Sequence, residues 1–131
     1  MNDGNDSCFK WGAVTLLDFL GWKGVWMNDY KQQSQSVQPN RNSLQKLADL
    51  IQAIKEECDV QCEKYGTTPE FISISDTIAL FSLCKSRDDD EENYKILKLH
   101  AELCSRVMDI SANSGFALRG AITIGEYAYL V

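Results

Sequence analysis

Apolar residues run unbroken from Ala13 to Leu17, with only Thr15 polar among them, and the run stops at Asp18. No helix breaker interrupts it, so residues 12–19 are predicted to form a buried strand. Leu20 to Gly24 reads as a turn, with glycines at Gly21 and Gly24, and the Gln-, Ser- and Asn-rich stretch from Gln32 to Asn42 as a loop. The period then changes to that of a helix. Leu44, Leu47, Ala48, Ile51, Ile54, Cys58 and Cys62 fall on one face, Asn42 and Gln45 form a capping box, and Gly66 is a natural stop. Phe71–Ser75 and Thr77–Leu83 are two short strands, with Ser75-Asp76 as the hairpin turn between them. Lys85–Glu92 is acidic and reads as an exposed loop. A second helix is predicted from about Glu92 to Ala112, with stripes Leu97-Ala101-Cys104-Met108 and Leu103-Val107-Ile110, ending at Gly115. Leu118–Tyr127 is the last strand.

This order predicts an α+β fold of the ferredoxin-like kind: a split β-α-β sheet with helices packed on one face. Residues 1–11 are polar and acidic and read as a flexible N-terminal segment. Residues 12–131 form one domain, without repeats or an internal boundary.

Composition narrows the function classes. Lys and Arg total 13 against 19 for Asp and Glu, a net charge of -6. This argues against nonspecific nucleic-acid binding, which depends on basic patches. Residues 1–11 lack the features of a secretory signal, and no apolar run is long enough for a membrane span. The expected partners therefore include neither nucleic acid nor membrane, and a cytoplasmic location is expected. Five cysteines without framework spacing then read as reduced thiols. Cys58 and Cys62 share a helix face and could form half a zinc site, but His100 is the only histidine, so buried structural cysteines are the preferred reading.

Two acids carry the candidate chemistry. Asp18 and Asp76 each lie where an apolar strand ends. A carboxylate in that position is costly unless hydrated, paired or bound to a cation. Two of them on strands that could be neighbours point to a site for a hard divalent metal.

The surrounding residues resemble the class III nucleotidyl cyclases. Val14-Thr15-Leu16-Leu17-Asp18-Phe19-Leu20-Gly21-Trp22 is similar to that family's first metal motif. Ile72-Ser73-Ile74-Ser75-Asp76-Thr77-Ile78-Ala79-Leu80-Phe81 is similar to its second metal hairpin. Leu118-Arg119-Gly120-Ala121-Ile122-Thr123-Ile124-Gly125-Glu126 is similar to its Arg-x-Gly-Ile-x-x-Gly-Glu strand. The three occur in family order across residues 12–127. The wording is nearest to bacterial stand-alone cyclases such as those of the Pycsar antiphage systems.

The resemblance implies an enzyme that turns a ribonucleoside triphosphate into a 3′,5′-cyclic nucleotide and pyrophosphate. Asp18 and Asp76 would be the catalytic acids. With the Phe19 carbonyl they would hold two Mg²⁺ or Mn²⁺ ions, which favour oxygen ligands and substrate phosphates. The backbone N–H groups of Leu20, Gly21, Trp22 and Lys23 would cradle phosphate oxygens, and the planar fork of Arg119 would reach the triphosphate. A homodimer with shared active sites is also implied. On bland readings, Arg119 pairs with Glu126 or another surface acid, and Trp22 packs.

The sequence departs from the family at three points. Ser75 replaces the usual turn glycine. Ile72 stands where purine cyclases place a base-reading polar residue, which favours a pyrimidine substrate or an inactive site. No Asn-x-x-x-Arg element follows the third motif, so the domain is expected to lack its C-terminal part. The alternative function is a catalytically inactive cyclase-like module for nucleotide binding or dimerisation. A diguanylate cyclase fragment ranks last, because its Gly-Gly-[Asp/Glu]-[Asp/Glu]-Phe hairpin is absent.

Overall fold

The structure is a computed structural model that describes residues 9–20, 42–74 and 76–128, with side chains of the first helix from Gln45 onward. The elements run β1 (Phe9–Leu20), α1 (Asn42–Tyr65), β2 (Glu70–Ile74), β3 (Thr77–Leu83), α2 (Asp90–Asn113) and β4 (Ala117–Ala128). The sheet order is β2-β3-β1-β4, and every neighbouring pair is antiparallel. This is the predicted α+β, ferredoxin-like plan. Among the described residues no helix is long and apolar enough to cross a membrane.

The period-2 alternation of β1 sends Ala13, Thr15, Leu17 and Phe19 into the core and leaves Leu16 and Leu20 exposed. Leu17 and Phe19 meet Ile78 and Leu80 of β3, Leu47, Leu50, Ile54 and Cys58 of α1, and Leu103 and Val107 of α2. Both helices therefore cover one face. A smaller cluster of Ala13, Tyr65, Cys84, Ile96 and Leu99 closes the far end.

The predicted face of α1 is the buried one, with Leu47, Ile54 and Cys58 in the core; Ala48 is exposed and Leu50 is also fully buried. In α2 the predicted Leu103 and Val107 are buried and Cys104, Met108 and Ile110 pack beside them, but Leu97 and Ala101 are exposed and the buried stripe extends instead through Ile96, Leu99, His100 and Ser111. Gln45 donates its side-chain amide to Asp49 Oδ1 at 2.9 Å, one turn onward, while the Asn42 side chain of the expected capping box lies outside the described residues. The acidic run is only partly loop. Asp89 caps α2 by accepting from Glu92 N at 3.1 Å, and Asp90, Glu91 and Glu92 form the first turn, where negative charge suits the helix dipole. Gly66 and Gly115, with φ of 74° and 83°, end the helices as expected.

The central strand is longer than predicted at both ends, beginning at Phe9 and running through Leu20. At its start the Arg87 guanidinium lies 4.5 Å from the Trp11 ring centroid, and Trp11 Nε1 donates to Asn93 Oδ1 at 3.2 Å. Close packing between strands needs Gly12, because a Cβ there would be driven into the Ser82 carbonyl. Gly12→Ala is expected to destabilise the fold by about 2 kcal/mol, since backbone of the adjacent strand must shift. A denaturant titration checks this.

Candidate active site

Asp18 sits on the sheet face that the helices leave open. Its position follows from the alternation that buries Leu17 and Phe19 on either side of it. Two pairings fix its surroundings. Asp18 lies opposite Thr77 in the β1–β3 ladder and opposite Arg119 in the β1–β4 ladder. Thr77 Oγ1 donates to Asp18 Oδ1 at 3.0 Å. Arg119 Nε lies 3.7 Å from Asp18 Oδ2, with 72% of the arginine side chain and 42% of the aspartate side chain exposed. Such an exposed pair contributes little to stability, so Arg119 is held near the carboxylate without being locked there.

Asp76 occupies the turn that precedes Thr77. Phe19 N donates to the Asp76 carbonyl at 2.9 Å, which ties the hairpin turn to β1 one residue beyond Asp18. An extended strand directs the N–H and C=O of one residue to the same side, so the Phe19 carbonyl also faces this turn. The Phe19 ring is buried beneath the site, edge-on to Phe116 with centroids 6.1 Å apart.

Three residues picked out in the sequence thus gather at one end of the sheet: Asp18, Asp76 and Arg119. Phe19 anchors them from below. Leu20 departs from its expected role as the first turn residue, because it is the last strand residue and pairs with Ala117. Gly21, Trp22 and Lys23 lie outside the described residues, as does Ser75. Arg119 does not pair with Glu126; that acid lies 3.9 Å from Arg87 instead. Ile72 pairs with Ala79 on the open face, as Asp18 pairs with Thr77.

A depression of about 350 Å³ opens here, lined by Leu16, Asp18, Arg119, Gly120 and Ala121. A larger one of about 560 Å³ lies at the other end of β3, between Tyr65, Leu83 and Glu92, remote from the two acids. Among the described residues no group of three or more His, Cys, Asp or Glu could hold a metal. The donors expected here are the Asp18 and Asp76 carboxylates and the Phe19 carbonyl. All are hard oxygens, and Asp18 is open to solvent. This fits Mg²⁺ or Mn²⁺, which needs only one or two protein carboxylates when substrate phosphates complete its shell.

Sequence reading missed two residues. Thr77, directly after Asp76, gave no sign of its bond to Asp18, because that bond depends on how β3 pairs with β1. His100 was weighed only as a zinc ligand. It is fully buried, with Nδ1 2.7 Å from Thr15 Oγ1 and Nε2 2.8 Å from Ser82 Oγ. Its spacing from Ile96, Leu99, Leu103 and Val107 was the available signal.

The architecture is cyclase-like. It superimposes on the adenylyl cyclase CyaB from P. aeruginosa with a TM-score of 0.52 and 15% identity, over 90% of this chain and 57% of that one. A class III adenylyl cyclase-like ATP-binding protein from Pseudomonas aeruginosa gives a TM-score of 0.56 and 8% identity, over 95% of this chain and 28% of that one. The chain thus spans little more than half of the first and under a third of the second. At these identities the likeness is one of fold. No family model and no curated protein matches the sequence.

Proposed function

We propose that this chain is a nucleotidyl cyclase domain that converts a ribonucleoside triphosphate into a 3′,5′-cyclic nucleotide and pyrophosphate. The observation that carries this reading is the register that sets Asp18 between Thr77 and Arg119, with the Asp76 turn bonded to the next residue of β1. Asp18, Asp76 and the Phe19 carbonyl would hold Mg²⁺ or Mn²⁺. Such ions, when bound, favour ionisation of the ribose 3′-hydroxyl and offset charge on the leaving pyrophosphate. Arg119 exchanges its loose contact with Asp18 for the triphosphate, where a planar guanidinium can bond two oxygens. Ile72 offers a base no hydrogen bond, so a polar purine-reading contact is missing and a pyrimidine is favoured. This agrees with the nearer resemblance to antiphage pyrimidine cyclases. Phosphoryl transfer asks mainly for positioning and charge, which rigid strand ends supply.

Leu16, Leu20, Ile74 and Leu83 are 45–69% exposed, and the first three share the sheet face that carries Asp18. A second copy covering this face accords with the shared-site homodimer that the resemblance implies.

A second reading, a binding module without turnover, is favoured by Ile72 and by the Arg119 contact that occupies Asp18 Oδ2. One neighbour in fold is described as an ATP-binding protein. The four ribonucleoside triphosphates, incubated with the protein and Mn²⁺ and read by product mass, separate the two. Cyclic product, chiefly from UTP or CTP, is the expected result. Metal-dependent nucleotide binding by calorimetry without product selects the second reading. Neither product nor binding overturns both.

A further inference from the structure

We propose that Thr77 is a positioning residue for the Asp18 carboxylate and thereby sets the affinity of this site for a divalent cation. The inference rests on the metal reading above. An ionised carboxylate only accepts hydrogen bonds, and Asp18, with 42% of its side chain exposed, has little packing to hold it. Thr77 supplies the missing restraint. It lies directly opposite Asp18, in a ladder whose register is also fixed by the buried Leu17–Ile78 pair. Its β-branched side chain has few χ1 choices, so the hydroxyl is held in place before any ion arrives. The 3.0 Å bond fixes Oδ1. Asp18 and Arg119 both line the depression, and among the described residues the loosely held Arg119 is the cation beside Oδ2 that an incoming ion displaces. Thr77 also follows Asp76 directly, so one residue links the orientation of the first acid to the turn that carries the second. Partners of this kind, which orient a metal ligand without touching the metal, commonly change metal affinity when removed.

The test is titration calorimetry of the full chain with Mn²⁺ alone, accompanied by thermal melting. Thr77→Val removes the hydroxyl at nearly constant shape and is expected to weaken Mn²⁺ binding about tenfold. Thr77→Ser keeps the donor and is expected to bind close to the parent. Unchanged Mn²⁺ affinity in T77V overturns the proposal, as does equal weakening in both variants. Should T77V fail to fold, Thr77→Ala carries the same test. Asp18→Asn separates this inference from the reading beneath it. If the parent binds Mn²⁺ and D18N binds it equally well, or if the parent binds none either alone or with a ribonucleoside triphosphate present, the metal reading itself fails and this inference falls with it. If D18N loses binding while T77V keeps it, only the role of Thr77 is lost.

Discussion

Asp18→Asn is expected to lower metal-dependent turnover by at least about 10³-fold while leaving the fold intact. Asparagine has nearly the same shape and keeps one oxygen for the Thr77 hydroxyl, so the cross-strand bond survives. What disappears is a formal charge at the centre of the oxygen donor set. Charge stabilisation of this kind contributes several kcal/mol in the transition state, and each 1.36 kcal/mol is roughly a factor of ten in rate. Asp76→Ala should have an effect of similar size, because the bond that ties its turn to Phe19 uses the backbone carbonyl and not the carboxylate. Pyrophosphate release with Mn²⁺ measures both. Near-parental rates in either variant would refute the two-carboxylate site. If the domain only binds nucleotide, the same substitutions should remove the metal dependence of binding.

The second large effect concerns stability. Burial among apolar side chains pushes the His100 pKa down from 6.5 to about 4. The ring is neutral in the fold at neutral pH, where Thr15 and Ser82 satisfy its two nitrogens. Between these pKa values the unfolded chain binds a proton that the folded chain does not. The resulting stability is complete above pH 6.5 and is lost progressively as pH falls toward 4, roughly 3 kcal/mol in all. Because the sequence contains a single histidine, the slope can be assigned. Urea midpoints should fall between pH 6.5 and 5 in the parent and stay flatter in His100→Gln. His100→Ala at neutral pH should cost roughly 3 kcal/mol or more, through a cavity and two stranded hydroxyls. Equal pH slopes in parent and H100Q would contradict the assignment.

Acid lability and chemistry thus belong to opposite faces of one strand. Thr15 and Leu17 point toward the helices, and Asp18 points away from them. Protonating His100 attacks the packing of α2 on β1 and β3, and through it the strand that presents Asp18. Loss of function at mildly acid pH is therefore expected to follow loss of structure.

Local pattern made much of this protein readable. The apolar run that leads to Asp18, the turn at Asp76 and the glycine stops of both helices all depend on neighbours in sequence. Steric rules and period-2 or helical spacing act over such short distances. The element order followed, and with it the α+β plan. The full extent of the buried stripe of α2 did not follow. Leu97 and Ala101 of α2 match a helical period as well as Ile96 and Leu99 do, and only contact with the sheet chooses between them.

The chain by itself determined that an acid would follow each of two apolar strand runs, because alternation and apolar spacing are local; that β1 continues past Asp18 to Leu20 came only from its pairing with β4. The tertiary structure alone decided what the first acid meets. Thr77 and Arg119 are distant from Asp18 in sequence and are brought to it by β-sheet register, a long-range choice made jointly by core packing and backbone hydrogen bonds. The same non-local pairing seats His100 between Thr15 and Ser82, residues of two separate strands that no local pattern associates.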